Sequence, residues 1–336
     1  MSMLLCAAEG ETASELQAAL GHKQVGLKKS DIATIFEQQM SLLLQPNNSY
    51  TLTCANSLLS QKCFQVNDEY KKILTESFKA FVLEVDFLKE NKKAVNKINE
   101  WVKEKTNNMI PELLQSLDPS AELILLNAVY FKGSWKTQFR KEATYAQVFY
   151  NRGLEEKAKE TEMMHMTDSF LFFEEETFQA IQLPYISEEI AMIFLLPKER
   201  NGLDKLEAML TSSFLEDLKQ KFRKRKVKIT LPRFRLEYAK SLVPYLSELG
   251  VKRAFSRGAE LTVVSDDPDL AVSEIFHKAV LDVKEEGSEA AAATKIYIVK
   301  RCLEIVPEFV ADHPFAFVIY NAKNDLILFM GRVYEL

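Results

Sequence analysis

Helical and strand-like periodicities come in blocks along this 336-residue chain rather than alternating one for one. Apolar residues recur at helical spacing over 12–20, 30–44, 67–80 and 92–117, the last carrying "VNKINEWVKEKT" with Val95, Ile98 and Val102 at helical intervals. Strand-like runs cover 50–59 and 81–87 and then dominate, at 122–131, 170–173, 179–183 and 191–196. A helix is expected over 202–221, strands over 226–231 and 234–238, a helix around 242–249, and strands to the end. Such an order points to an α+β fold rather than a βαβ series. No repeat, Pro/Ser-rich linker or compositional break divides the chain, so 1–336 reads as one domain.

One stretch resists this pattern. "KEEGSEAAAATKIYIVKRCLEIVPEF", residues 284–309, carries four successive alanines, good helix formers and poor strand formers. Composition alone favours an Ala-rich linker or a short surface helix. Period 2 gives another answer: Ser288, Ala290, Ala292, Thr294, Ile296 and Ile298 form a charge-free face, while Glu289 and Lys295 fall on the other. From Glu285 to Arg301 the segment would span about 56 Å if extended, well beyond an ordinary connection. A long exposed segment with strand potential is an aggregation liability unless it has a use.

Several functions are disfavoured. With 47% hydrophobic and 27% charged residues and a net charge of -5, the chain has the profile of a soluble globular protein with no bias towards nucleic acid or acidic membrane. Its longest apolar runs, "AELILLNAVYF" and "AMIFLLP", are shorter than the ~18 residues of a membrane span and read as buried strands. Cys6, Cys54, Cys63 and Cys302 show no metal-ligand spacing with one another or with the four histidines. The separation of Cys54 and Cys63 fits either a disulfide or two thiols on paired strands. No GxSxG, HExxH or paired-carboxylate motif is present, so neither an enzyme nor a metal site is expected. Asn47 begins a glycosylation sequon in "QPNNSY". The opening "MSMLLCAAEGETASELQ" lacks a charged leader and a cleavage-site pattern; it begins within a helix, which points to missing sequence upstream.

"EEGSEAAAAT" resembles the hinge of the inhibitory serpins, suicide inhibitors of proteases. "INEWVKEKT" (98–106), "NAVYFKGSW" (127–135), "LPRFRLE" (231–237), "HKAVLDVKEEG" (277–287), "DHPFAFVIY" (312–320) and "LFMGRV" (328–333) resemble further blocks of the family, in its order. The resemblance implies the serpin fold: a large central mixed or antiparallel sheet with surrounding helices, a second sheet or barrel, and an exposed reactive-centre loop at 285–307. It also implies roughly 40–50 family residues ahead of the point matching Met1.

The resemblance assigns roles. The hinge would be Glu285, Glu286, Gly287, Ser288, Glu289, Ala290, Ala291, Ala292, Ala293 and Thr294. The scissile bond would follow Arg301, with Cys302 on the leaving side and Lys300 as the alternative basic residue; arginine there suits a pocket holding a carboxylate, the trypsin-like pattern. The expected partner is a trypsin-like serine protease held as a covalent acyl-enzyme by a monomeric inhibitor. Asn127 and His277 resemble a hydrogen-bonded pair beneath the central sheet, and Arg233 and Glu285 an ion pair near Trp135 where insertion begins. The basic run with Lys221, Arg223, Lys224, Arg225 and Lys226 reads as a solvated helix-to-strand junction or as a site for a sulfated glycosaminoglycan, with no other cofactor expected. The alternatives are a non-inhibitory carrier on the same fold and an inactive fragment cleaved as a substrate. Location leans to secretion, on the sequon and the extracellular abundance of trypsin-like proteases, with a cytoplasmic protein as the alternative.

Overall fold

The structure is a computed structural model that describes residues 1–44, 50–211, 213–285 and 306–336. Helices α1 (Ser2–Ala7), α2 (Gly10–Ala19) and α3 (Lys29–Leu43) lead to β1 (Tyr50–Gln61), α4 (Asp68–Glu76), β2 (Phe81–Val85), α5 (Asn91–Lys105) and β3 (Leu123–Gly133). Next come β4 (Thr144–Tyr150), β5 (Ala158–Glu174), β6 (Phe178–Pro184), β7 (Ile190–Pro197), α6 (Leu203–Glu207), α7 (Phe214–Lys221) and β8 (Arg223–Pro232). The chain ends with β9 (Phe234–Ser241), α8 (Val243–Glu248), β10 (Val272–Val283), β11 (Glu308–Val310), β12 (Phe315–Asn321) and β13 (Ile327–Val333). The fold is α+β, and no helix among the described residues is long and apolar enough to cross a membrane.

The residues fall into two compact units. The first comprises Met1–Pro46, Thr51–Phe131 and Leu236–Leu281 and is built on a five-stranded sheet of order β2-β1-β3-β10-β9. Strand alternation divides its core. Leu123 and Leu125 of β3 join a cluster with Leu4, Leu5, Tyr70 and Leu74, whereas Ile124, Leu126, Ala128 and Tyr130 join one with Val95, Ile98 and Val102 of α5. A strand buried on both faces carries apolar residues at successive positions, which is why "LILLNAVYF" shows no simple alternation.

Helix α5 stops at Lys105, short of the expected 92–117. Asn107 and Asn108 take positive φ, 49° and 62°, a backbone state that ends helices. The following apolar residues then run as a strap tied by side-chain amides: Asn99 Oδ1 accepts from Leu113 N and Leu114 N, and Asn91 Nδ2 donates to Leu117 O. Cys54, within β1, and Cys63, beyond its end, are free thiols. The extended strand from Cys54 to Gln61 alone covers about 23 Å, far past disulfide reach.

The second unit comprises Asn47–Tyr50, Lys132–Arg235 and Asp282–Leu336, around an eight-stranded sheet of order β11-β8-β5-β6-β7-β12-β13, with β4 paired to β5. It is an open sheet among the described residues; the barrel alternative is not formed. Every residue of β7 is buried. One sheet face packs Ile193, Leu195 and Val318 on Leu203, Leu206 and Leu218 of α6 and α7. The expected helix over 202–221 is therefore two short helices. β4 and the first half of β5 were not expected; they form a largely exposed antiparallel pair that buries too little to impose an apolar alternation.

Candidate functional site

Two polar clusters occupy the positions singled out in the sequence. The first lies at the centre of the five-stranded sheet, where β3 and β10 are parallel neighbours in a register that sets His277 opposite Asn127. His277 Nδ1 stands 2.7 Å from Asn127 Oδ1, and Asn127 Nδ2 donates to Asn56 Oδ1 of β1 at 2.8 Å and towards Cys54 Sγ at 3.5 Å. Asn56 Nδ2 in turn donates to the Phe78 carbonyl at 3.0 Å.

That carbonyl sets the direction of the whole chain of bonds. It can only accept, so the Asn56 amide nitrogen faces it and the Asn56 oxygen faces Asn127. Asn127 must then present its NH2 to Asn56 and its oxygen to His277, and His277 must carry its proton on Nδ1. Burial pulls the pKa of His277 below its ordinary value and so favours the neutral ring this arrangement requires. Burial pushes the Cys54 thiol up, against its hydrogen bonds with Asn127, which donates to it, and with Asn56 Oδ1, which accepts from it, so the sulfur is a protonated partner rather than a thiolate.

Asn56 and Cys54 went unnoticed in the sequence. They share the strand parity of Leu58, which belongs to the core, and polar residues on a buried parity are the signal that was there to be found.

The second cluster lies in the second unit, where the chain leaves β10. Trp135 is 2% exposed, its ring stacks on Tyr185 at 4.5 Å, and its Nε1 donates to Lys284 O at 2.9 Å. Phe139 N donates to Glu285 O at 3.1 Å, so consecutive carbonyls at the end of the described segment are both held. The Glu285 carboxylate, 7% exposed, lies 3.9 Å from Nε of the half-exposed Arg233, an ion pair too long for a hydrogen bond. Asp282, not anticipated from the sequence, buries its carboxylate in contact with Lys284 Nζ at 2.6 Å, without hydrogen-bond geometry. Gly133 makes room for the stack: a Cβ there would meet the Tyr185 ring at 2.4 Å.

The structure thus brings together Asn127 with His277, and Trp135 with Lys284 and Arg233 with Glu285. Glu286, Gly287, Ser288, Glu289, Ala290, Ala291, Ala292, Ala293, Thr294, Arg301 and Cys302, with the sequon at Asn47, lie outside the described residues. The basic run straddles the α7–β8 junction. Lys221 sits over the Phe173 ring, Arg223 donates to the Gln220 and Phe222 carbonyls, and Lys224, Arg225 and Lys226 are exposed on β8 opposite Leu171, Phe170 and Ser169.

Comparisons with known proteins agree with this architecture. Residues 1–336 match a family model described as Serpin (serine protease inhibitor). Intracellular coagulation inhibitor 2 of Tachypleus tridentatus is 36% identical over 340 residues, covering 100% of this chain and 83% of that protein. Iripin-2 of Ixodes ricinus is 37% identical over 338 residues (100% and 85%), and neuroserpin of Gallus gallus 36% over 343 residues (99% and 82%). Uncleaved ovalbumin superposes with a TM-score of 0.88 at 26% identity, over 99% of this chain and 90% of that one. Serpin48 of Tenebrio molitor, described as a highly specific serpin, superposes with a TM-score of 0.84 at 28% identity, over 100% and 88%. With the whole length matched by the family model and relatives above one-third identity, the chain belongs to the serpin family.

Proposed function

We propose that this protein is a monomeric suicide inhibitor of trypsin-like serine proteases, acting as one domain over 1–336 with its reactive loop at 285–307. The protease serine attacks the Arg301 carbonyl, the Cys302 amine leaves, and an acyl-enzyme forms. The freed loop then inserts as a new strand and carries the protease with it. The observation that supports this most is the parallel β3–β10 pair. A strand that doubles back from the end of β10 runs antiparallel to both β10 and β3, and so can replace one parallel ladder with two antiparallel ones, the slightly stronger kind. Ten or more net ladder bonds at ~0.5–1.5 kcal/mol each supply on the order of 10 kcal/mol, enough to make trapping irreversible. The charge-free face from Ser288 to Ile298 supplies side chains that a sheet interior accepts.

The test is incubation with trypsin followed by a denaturing gel. A band of inhibitor-plus-protease mass that Arg301→Ala abolishes supports the reading. Cleavage at Arg301 with no such band, and no gain in thermal stability after cleavage, overturns it in favour of a carrier or a plain substrate.

Two further parts belong to the same proposal. The exposed cations of β8 and Lys221 bind a sulfated glycosaminoglycan, which salt-dependent retention on heparin would reveal and Lys224→Gln/Lys226→Gln would weaken. The protein is secreted, with a glycan at Asn47 as its marker. The name of one relative, an intracellular coagulation inhibitor, points the other way, and a glycosidase-sensitive mass in the secreted fraction decides between them.

A further inference from the structure

A cavity of about 420 Å³ in the second unit holds an excess of cationic donors. Among the described residues, four cationic side chains line it, Lys132, Lys141, Arg233 and Lys284, against two carboxylates, Glu162 and Glu285. Two of its donors, on Arg233 and Thr144, lack side-chain hydrogen-bond acceptors among the described residues. The Arg233 guanidinium has only the 3.9 Å ion pair with Glu285. Thr144 Oγ1 is buried with no partner, although a buried hydroxyl ordinarily finds one. Lys132 is the penultimate residue of β3, Thr144 opens β4 and Arg233 follows β8, so separate elements carry these residues to the lining of one cavity.

A pocket with a few convergent polar groups is the usual form of a small-ligand site, and these groups select its charge. A cation would meet four like charges. An apolar ligand would leave the guanidinium, ammonium and hydroxyl unmatched. A multivalent oxyanion satisfies all three, because the guanidinium fork matches two oxygens of one tetrahedral group while an ammonium and a hydroxyl take the others. Glu285 is set against Arg233 and Asp282 against Lys284; with Glu162 also counted, the described side chains at the cavity still carry a net excess of one positive charge.

We propose that this cavity binds a small oxyanion of the phosphate or sulfate class, held by Arg233, Lys132 and Thr144. The ion bridges the end of β3, the start of β4 and the exit of β8. The site does not depend on the inhibitory reading, and neither does its test.

Inorganic phosphate is titrated into the full chain at constant ionic strength, with binding followed by calorimetry and the melting temperature recorded in parallel. The expected result is a saturable one-to-one isotherm, displaced by sulfate and not by chloride, with a melting temperature that rises and then levels off. Lys132→Gln should weaken binding about tenfold while Lys132→Arg retains it, since the charge-assisted bond is lost only in the first. Thr144→Val should weaken it by a smaller factor, and Lys224→Gln on the exposed basic strand should leave it unchanged. A response to phosphate that never saturates overturns the proposal. So does an equal response in folded Lys132→Gln protein, or an equal loss in Lys224→Gln, which would mark diffuse charge rather than a site.

Discussion

His277 Nδ1 and Asn127 Oδ1 face each other at 2.7 Å across the parallel β3–β10 pair, and the bond requires a proton on that nitrogen. The far ring nitrogen of the neutral histidine is unprotonated, and burial resists the second proton by lowering the pKa. The unfolded chain takes up that proton near pH 6.5, the folded chain only at lower pH. Between those values the unfolded state binds more protons, so stability contributed by neutral His277 is complete above pH 6.5 and is lost as pH falls. Thermal melts from pH 8 to pH 5 should show a declining melting temperature, and His277→Gln should flatten that slope whatever its own baseline. An unchanged slope in the variant would remove His277 from the pH response.

Asn127 is the joint of the network, since it alone touches Asn56, Cys54 and His277. Asn127→Ala leaves the Asn56 oxygen and the His277 N–H without that partner in a largely buried setting. Each unsatisfied group costs ~1–3 kcal/mol, so a loss of about 2–5 kcal/mol in unfolding free energy is expected by denaturant titration. A loss below about 0.5 kcal/mol would mean that water replaces the amide.

The architecture was legible where burial imposes a pattern. β1, β3, β6 and β7 fall close to where apolar runs put them, because their side chains must meet a core. The strap after α5 was read as helix because Leu113, Leu114 and Leu117 keep a helix-like spacing; what denies them a helix is the left-handed backbone at Asn107 and Asn108 and the amide grip of Asn99. At the polar network, the resemblance pointed to Asn127 and His277, which are far apart in sequence. Asn56 and Cys54 remained hidden because only strand order brings β1 alongside β3. Likewise, nothing in the sequence marks Thr144 or Lys132 as facing one cavity.

Trp135 serves both as a packing residue and as a donor. Trp135→Phe keeps an aromatic ring against Tyr185 but deletes the bond from Nε1 to Lys284 O. A loss of about 1 kcal/mol in stability is expected, with a larger relative effect on the rate of the proposed protease trapping. Gly133→Ala should cost more, about 1–3 kcal/mol, because the new methyl group strikes the Tyr185 ring. Stopped-flow inhibition and denaturant melts on the two variants separate the roles: a rate change in Trp135→Phe without a comparable one in Gly133→Ala assigns control to the hydrogen bond. Equal rate effects from both would assign it to packing.

The proposed insertion would make a directional demand on residues 288–298, which parity tests. In the period-2 pattern of the sequence, Thr294 falls with Ala290 and Ala292 on the charge-free side, whereas Ala291 and Ala293 fall with Glu289 and Lys295. If the first face enters the sheet, Thr294→Arg must bury an unpaired guanidinium, a penalty of several kcal/mol that slows insertion relative to deacylation. Trypsin should then still cleave at Arg301, but the covalent band should fall about tenfold or more as cleaved, released inhibitor accumulates. Ala293→Arg, one residue away on the opposite face, should keep most of its trapping capacity. Equal losses from the two substitutions would show that the strand-like parity of the loop does not govern its insertion.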